Sequence, residues 1–451
     1  MKKILCLLAA CSALLFVSCE KIIQDDQNND LPAPPPPEEE KVFYEVISDE
    51  NHELIGFVRQ LLQENASGLS AFQLLIIPQF EKLAQNVRDS QGLDDEMIGF
   101  RKVAYEYESE DWWGNPVVLS AAAYWLGYYS GDTWVDIMPE EMCLMEHYTL
   151  TANSDCPSAG YPFELFTSGN TFLVMPDYLG FGSSSSYVHP YLIHDLCAAN
   201  SIDAMPAAQE LFAGLTEFEA DDEWKLTVRG ASQGGGNALA IHKYMDTHAA
   251  VADEWNFMGS YCAAGPYSPR LTVEKYIEAG VTDTPVLFPL TLVSMQYAYP
   301  ELLGRFSADR IYSEKYLAVK DQIEDALESR EKTVAQMNSL MLKLLREPDD
   351  LFGKELKLSD ILSSEILDPQ SEVYQALREC LDDNDLISGW IPVRPVRLYY
   401  SAEDKTVPYE NSIAVSDAFG DSSVIIEKGF ASDHTTCCAL WMFNVLNESN
   451  R

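Results

Sequence analysis

Short apolar segments alternate with amphipathic ones along most of this chain. Between residues 101 and 108 the apolar Val103, Tyr105 and Tyr107 alternate with polar residues, as in a strand with one buried face. Several predominantly apolar segments are typical of buried strands, and they lie at 117–126, 143–150, 171–175, 226–228, 255–262, 396–400 and 423–427. Helical periodicity fills most of the gaps between them. The pattern therefore predicts an α/β fold with a mostly parallel sheet flanked by helices.

Two regions depart from this alternation. Leu54 and Val58 begin an apolar stripe at helical spacing, so we expect residues 41–98 to form an N-terminal helical segment. Residues 276–390 are mostly helical and charged, and we expect them to form a cap inserted between two strands of the sheet. The least charged part of this cap, 286–299, is either the core of the cap or a wall that faces a substrate.

The N-terminus has the pattern of a targeting segment. Two lysines precede a short apolar run that ends at Cys19, which is typical of a bacterial export signal. The residues before Cys19 resemble the lipobox of bacterial lipoproteins, so we expect residues 1–19 to be a signal peptide and Cys19 to carry a lipid anchor. A plain cleaved signal is the alternative. Residues 20–40, polar and then rich in proline, are expected to be a disordered tether, which would hold the protein to the cell envelope, on the periplasmic or the outer surface.

The acidic composition narrows the classes of partner. The 451 residues carry a net charge of -41 at pH 7, which would repel nucleic acids and anionic membrane surfaces. We therefore expect contact with a membrane only through the lipid anchor. Seven of the ten cysteines follow Cys19, and because this number is odd, at least one is expected to be free or to pair outside the chain. Their spacing does not match a zinc site, and we expect no cofactor.

One glycine-rich stretch carries the strongest signal for chemistry. Ser232 lies in a Gly-x-Ser-x-Gly motif between Gly230 and Gly234, with a strand pattern before it and a helical pattern after it. In that context the motif is typical of a nucleophile elbow, a sharp turn that lifts the serine hydroxyl clear of the sheet. The glycines avoid side-chain collisions where the strand and the helix come close. A glycine-rich turn that happens to hold a serine is the alternative.

A serine nucleophile needs a base and an orienting acid, which follow the elbow in the order acid, then histidine. Asp404 lies just after the predicted strand 396–400, at the end where the ligand-facing groups of a parallel sheet gather. Glu403 is the alternative acid. Of the seven histidines only His434 lies beyond Asp404, so the base has one candidate. We therefore predict a catalytic triad of Ser232, Asp404 and His434.

An acyl-transfer site also needs hydrogen-bond donors for the oxyanion. The N–H of Gln233, the residue after the nucleophile, is one expected donor. The second is expected from the loop after an early strand, and we assign it to the N–H of Thr151. Two polar residues in this part of the chain, His147 and Asp177, are expected to be structural.

Several motifs together resemble the secretory lipase family, the Candida lipase A-like serine hydrolases. They are the elbow, the segments at 176–182 and 189–191, the patch at 155–158 and the acid loop at 404–411. The resemblance extends from about Arg101 to the C-terminus. It implies an α/β-hydrolase fold with a core of residues 99–275 and 391–451, a cap between them, and ester hydrolysis. An aspartate often supplies the second oxyanion donor in these lipases, and Thr151 at that position is a departure that weakens the case for lipase substrates.

These features predict a lipid-anchored serine esterase that cleaves a small-molecule, lipid or glycan ester through an acyl-enzyme. Three alternatives stay open. A prolyl-oligopeptidase-type peptidase would use the same triad but would need an anchor for the peptide terminus. A carbohydrate esterase would remove acetyl or feruloyl groups from glycans. A surface binding protein could keep the fold without catalysis, although it would not need all three triad residues.

Overall fold

The computed structural model describes residues 42–65, 70–162, 164–165, 169–218, 224–346, 355–420, 424–429 and 432–449. The predicted signal peptide, Cys19 and the tether at 20–40 lie outside the described residues. No helix in the described ranges is long and apolar enough to cross a membrane. The seven cysteines after Cys19 all lie in these ranges, where each is buried and free of disulfide bonds.

A mixed sheet of ten strands forms the centre of the fold. The strands of the described chain are β1 (Tyr44–Glu53), β2 (Met97–Glu110), β3 (Pro116–Ser130), β4 (Thr133–Asp136), β5 (Glu141–Glu146), β6 (Thr171–Pro176), β7 (Leu226–Ala231), β8 (Phe257–Ala263), β9 (Val281–Thr282), β10 (Leu356–Lys357), β11 (Val396–Tyr400) and β12 (Val424–Lys428). The order in the sheet is β1-β2-β3-β6-β5-β7-β8-β11-β12, with β4 paired to β3. The pairs from β6 to β12 are parallel, whereas β1 to β3 add antiparallel strands at one edge. Strands β9 and β10 pair separately in the cap.

Helices cover both faces of the sheet. They are α1 (Leu54–Asn65), α2 (Ser70–Gln91), α3 (His194–Leu215), α4 (Gln233–Thr247), α5 (Ala249–Glu254), α6 (Pro269–Ala279), α7 (Leu287–Ala298), α8 (Ala308–Ile311), α9 (Glu314–Leu317), α10 (Lys320–Glu328), α11 (Val334–Leu345), α12 (Glu372–Asp383), α13 (Glu410–Phe419) and α14 (His434–Ser449). Alternate strand residues face different layers: Phe172 and Val174 pack with α3 and α4, whereas Leu173 and Met175 pack with α1, α2 and α14. This alternation explains why the central strands are apolar on both faces.

The first part of the N-terminal segment differs from the sequence-based prediction. Residues 41–98 are expected to be helical, but Tyr44–Glu53 forms the edge strand β1, antiparallel to β2. Most of its residues are exposed or half-exposed, so the sequence of β1 lacks the alternation that marks a strand with one buried face. Arg101 of β2 supports the pairing, because its guanidinium donates to both carboxylate oxygens of Asp49, at 2.7 and 2.6 Å.

Strand β5 is shorter than its apolar pattern indicates. It ends at Glu146, whereas the predicted strand extends to Leu150. The ladder stops there because its partner β7 is about to turn: Glu146 pairs with Gly230, just before the elbow. The loop that leaves the sheet therefore starts four residues early, and this changes which of its residues face the site.

The cap has a hydrophobic cluster of its own, formed by buried residues of α7, α11, α12 and the segments between them. Several contacts join it to the central layer, and two of them lie at α6 and α7. The Tyr276 hydroxyl donates to the Thr406 carbonyl at 2.8 Å, next to the acid loop. At the C-terminal end of α7, Tyr297 packs against Trp112 and Trp113 of the β2–β3 turn, with ring centroids 5.0 and 5.2 Å away.

Candidate active site

Ser232 occupies the sharp turn between β7 and α4. Its backbone has φ 57° and ψ -125°, a conformation that costs a non-glycine residue energy and persists only where neighbouring structure enforces it. The positions on either side of Ser232 must be glycine for steric reasons. A Cβ on Gly230 would collide with the carbonyl of Gly234, and a Cβ on Gly234 would collide with the carbonyl of Glu146. Strand, turn and helix together have the geometry of a nucleophile elbow.

Three side chains from distant parts of the chain meet at this turn. His434 Nε2 lies 2.8 Å from Ser232 Oγ, and His434 Nδ1 lies 2.6 Å from Asp404 Oδ2. The other carboxylate oxygen of Asp404 accepts the backbone N–H groups of Thr406 and Val407, both at 2.9 Å. These two bonds fix the carboxylate, which in turn fixes the imidazole. The structure thus brings together the three residues that the sequence predicts as a triad.

The acid and the base take their positions from the elements that carry them. Asp404 follows β11 and is buried, whereas Glu403, the alternative acid, is exposed to solvent. His434 is the first residue of α14, and Asp433 before it accepts the N–H of Thr436 at 2.9 Å, which caps the helix. Asp404 and His434 therefore both lie beyond the carboxyl ends of the parallel strands, and Ser232 in the elbow lies at the same edge of the sheet.

The surroundings of His434 favour its charged form. Burial alone lowers the pKa of His434, but Cys438 and Asp404 raise that pKa well above its usual value. Cys438 lies one helical turn along α14, with Sγ 4.0 Å from His434 Nε2. A histidine base must be neutral to accept the serine proton, so a raised pKa moves the pH range in which His434 can act upward.

Gln233, the expected first oxyanion donor, is held by a chain of hydrogen bonds. Its Nε2 donates to His189 Nε2 at 2.8 Å, and His189 Nδ1 donates to the Leu179 carbonyl at 2.9 Å. Burial lowers the pKa of His189 to about 3, so the ring is neutral and can accept from Gln233. These hydrogen bonds fix the side chain of Gln233, the residue that directly follows Ser232 in the elbow.

Thr151 does not lie where the sequence-based assignment expects it. It is buried, and its hydroxyl donates to the Lys332 carbonyl of the cap at 2.6 Å rather than lining the cavity beside Ser232. Because β5 ends early, Tyr148 and Thr149 reach that cavity from the start of this loop, and Asp155 reaches it from the end of the loop. The N–H of Tyr148 already donates to Glu164 Oε1 at 2.8 Å.

His147 and Asp177 are buried and bound to the surrounding structure. Burial lowers the pKa of His147 to about 4, and its Nδ1 lies 2.7 Å from the Tyr148 carbonyl. Asp177 accepts the Ser120 hydroxyl at 2.6 Å and the Ser158 N–H at 2.8 Å. These contacts support the prediction that both side chains are structural.

A cavity of about 500 Å³ opens beside Ser232 and lies between the sheet and the cap. This volume is within the usual range for a small-molecule site. The cap side is largely apolar and consists of Thr272, Val273, Tyr276, Leu287, Phe288, Thr291, Leu292, Thr333, Val334 and Ala335, among others. Two carboxyl side chains, Asp155 and Glu164, also line the cavity. The site therefore combines the hydrogen-bonded Ser232 hydroxyl with a mainly apolar cavity.

Comparison with solved structures places this arrangement among known folds. No protein-family profile and no curated protein matches the sequence. The rice cell wall degrading esterase LipA from Xanthomonas oryzae is 17% identical over 90% of this chain and 96% of its own, with a TM-score of 0.64. A protein from Legionella pneumophila is 18% identical, with the same two coverages and a TM-score of 0.64. Candida antarctica lipase A is 11% identical over 81% of this chain and 80% of its own, with a TM-score of 0.50.

This chain has the α/β-hydrolase fold. The fold that the sequence resemblance implies is therefore confirmed. Within this α/β-hydrolase fold, Ser232, Asp404 and His434 follow β7, β11 and β12, which are the positions where the fold carries a triad.

Sequence reasoning did not identify the residues that shape the cavity of this α/β-hydrolase fold. The apolar stretch 286–299 was the one available signal, and the structure gives it both proposed roles: Leu290 and Met295 pack in the cap core, whereas Leu287 and Thr291 line the cavity. Glu164 and Thr149 had no signal, because an isolated carboxyl or threonine is common in any loop.

Proposed function

We propose that this protein is a serine hydrolase that cleaves carboxylic esters by an acyl-enzyme mechanism. The observation that carries the proposal is the continuous hydrogen-bonded line from Ser232 through His434 to Asp404, at the wall of a mainly apolar cavity. The fold shared with an esterase and a lipase supports it. Because fold alone does not determine function, the argument depends on the geometry of the site.

In the acylation step Ser232 Oγ bonds to the ester carbonyl carbon while His434 Nε2 accepts the hydroxyl proton. Asp404 stabilises the imidazolium that results, and it remains ionised. His434 then donates the proton to the alcohol oxygen as the carbon–oxygen bond breaks, which leaves the acyl group on Ser232. The alcohol departs with the proton that the serine lost.

In the deacylation step a water molecule takes the place of the alcohol. His434 accepts a proton from this water as its oxygen bonds to the acyl carbon. The proton passes to Ser232 Oγ when the acyl–serine bond breaks, and the carboxylic acid leaves. His434 must be neutral at the start of each step, so its raised pKa places the onset of activity at higher pH.

We assign the oxyanion donors to the N–H groups of Gln233 and Thr149. Gln233 follows Ser232 at the start of α4, and Thr149 lines the same cavity as Ser232. Thr149 takes the role expected of Thr151, which lies outside that wall. Each donor in such a site typically contributes ~10²–10³ to the rate.

The acyl group of the substrate is the part that we place in the cavity. Helices α6 and α7 and the start of α11 supply most of its cap side, through side chains such as Val273, Leu292 and Val334. An apolar chain buried there gains about 0.8 kcal/mol for each methylene group. The ester is therefore proposed to carry an acyl chain longer than acetyl.

A peptidase is the second candidate, because two carboxyl groups that could receive a peptide amino terminus line the cavity. They are Asp155, which is half-buried, and Glu164, which is buried. Burial raises the pKa of Glu164 to about 8, so this carboxyl is a poor anchor for a cation at neutral pH, and burial also raises the pKa of Asp155. This is why we favour ester hydrolysis.

The test compares the wild-type domain from residue 42 onwards with Ser232→Ala on p-nitrophenyl butyrate and on an aminoacyl-proline amide. We expect the wild type to hydrolyse the ester far faster than the amide. Ser232→Ala should lose on the order of 10⁶ in turnover. Faster cleavage of the amide would support the peptidase, and equal rates for the two proteins would contradict the proposal.

A further inference from the structure

A short segment of the cap holds the loop that follows β5. We name residues 330–332, between α10 and α11, the cap strap, and residues 147–156 the β5 loop. The Thr151 hydroxyl donates to the Lys332 carbonyl at 2.6 Å, and the Asn153 N–H donates to the Arg330 carbonyl at 2.8 Å. Two main-chain carbonyls of the cap strap are therefore bound by the β5 loop.

The cap strap has a strained residue at its first position. Arg330 has φ 54°, an unusual value for a residue with a side chain, and such a conformation persists only where the surroundings enforce it. Its guanidinium carbon lies 4.6 Å from the ring centroid of Phe181, and its Nη2 donates to the Tyr187 carbonyl at 3.5 Å. The central layer therefore contacts both the side chain of Arg330 and its backbone carbonyl.

The connection between the cap strap and the β5 loop reaches the proposed active site at both ends. Beyond the cap strap, Thr333 caps α11 through a reciprocal pair of hydrogen bonds with Gln336, and Thr333 itself lines the cavity. At the other end, Thr149 lies between two fixed points of the β5 loop: Tyr148, whose N–H donates to Glu164, and Thr151, which is bound to the cap strap. The cavity wall and the proposed oxyanion donor therefore share one support.

We propose that Thr151 is a positioning residue, which uses its bond to the cap strap to hold the Thr149 N–H in the place where the oxyanion forms. This inference rests on the proposed ester hydrolysis. An oxyanion donor accelerates the reaction only if it is held in position before the charge develops. Thr151 performs this task through its side-chain hydroxyl, so it acts on the chemistry although it does not line the cavity.

The test uses Thr151→Val, which keeps the shape of the side chain and removes the hydroxyl, and Thr151→Ser, which keeps the hydroxyl. Thr216→Val is the matched control, because the Thr216 hydroxyl also donates to a backbone carbonyl, that of Phe212, at the end of α3. A fluorophosphonate titration counts the reactive sites in each preparation, and kcat is divided by that count. Unfolded protein then does not lower the measured kcat.

We expect Thr151→Val to lower kcat on the order of tenfold to a hundredfold, because a displaced oxyanion donor costs up to ~10²–10³. KM should change by less than about twofold, since the donor acts chiefly in the transition state. Thr151→Ser and Thr216→Val should keep kcat near the wild-type value. A side chain with only a structural role would lower the number of titrated sites and leave kcat per site unchanged.

Hydrogen exchange gives a readout that does not depend on turnover. Thr151→Val should speed amide exchange in the β5 loop and the cap strap, and Thr216→Val should not. Arg330→Gly, which tolerates the positive φ but removes the Phe181 contact, should have the same two effects as Thr151→Val. Unchanged kcat per site in Thr151→Val, equal losses in Val and Ser variants, or unchanged exchange would overturn the inference. A wild type with no esterase activity would instead overturn the proposed function.

Discussion

The cavity beside Ser232 leads to a prediction about the acyl chain. If the cap side of the cavity receives this chain, kcat/KM for p-nitrophenyl esters should rise with chain length until the space is filled. Each methylene group buried is worth about 0.8 kcal/mol, or roughly a fourfold increase. From acetyl to hexanoyl, four such groups give about 3 kcal/mol, or roughly two hundredfold. The cavity of about 500 Å³ has space for the additional methylene groups.

Thr291 offers a way to shorten the space. It lies on α7, is buried, and lines the cavity. Thr291→Phe puts an aromatic ring where the chain would lie, so it should reduce kcat/KM for hexanoyl and octanoyl esters by at least about tenfold and leave acetate within about twofold. The matched control is Thr247→Phe, at the exposed end of α4.

Initial rates at substrate concentrations well below KM give kcat/KM directly for each ester and each variant. A wild type that prefers acetate, or shows no dependence on length, would refute the placement of the acyl chain. The same holds if Thr291→Phe lowers all esters equally, because a general loss would indicate damage to the fold rather than a shortened cavity. Thr247→Phe must follow the wild-type profile for the comparison to stand.

Three further predictions follow from the site and its surroundings. Asp404→Asn should lower kcat by roughly 10⁴-fold, less than the ~10⁶-fold loss for Ser232→Ala, and steady-state assays of both variants compare them directly. The acidic limb of the kcat/KM profile should lie above pH 6.5, because the pKa of His434 is raised above this usual value and the base must be neutral to act; a limb below pH 6.5 would contradict this. Burial raises the pKa of Glu146 from 4.5 to about 8, so the folded state keeps a proton that the unfolded chain releases, and stability should fall as pH rises from about 4.5 to about 8. Glu146→Gln should remove the Glu146 share of this dependence, to which Glu164 also contributes, and raise Tm relative to the wild type at pH 8 more than at pH 5, as thermal unfolding would show.

The sheet and the meeting of Ser232, Asp404 and His434 could be predicted from the sequence because the relevant constraints are local. The turn at Ser232 tolerates only small neighbours, so glycines mark it at fixed spacing. The order of acid and base along the chain left His434 as the one histidine beyond Asp404. Strands buried on both faces are apolar along their length, which makes β6 and β11 visible as short apolar runs.

The features that could not be predicted depend on contacts between distant segments. Strand β1 has no buried face to produce alternation, and its pairing with β2 involves residues far apart in the chain. The second oxyanion donor that we propose is a backbone N–H, which every residue type except proline carries, so no side chain marks it. Its assignment to Thr151 assumed that β5 extends to Leu150, and the earlier end of the strand moves the cavity wall to Thr149.

The most direct test of the central claim is to trap the covalent enzyme and locate the label. The wild type, Ser232→Ala and His434→Ala are treated with a fluorophosphonate, and intact mass and peptide mapping show where it bound. We expect one adduct per molecule on Ser232, no adduct in Ser232→Ala, and much slower labelling in His434→Ala, because the base activates the nucleophile. Labelling at another residue, or no labelling of the folded wild type, would contradict the account.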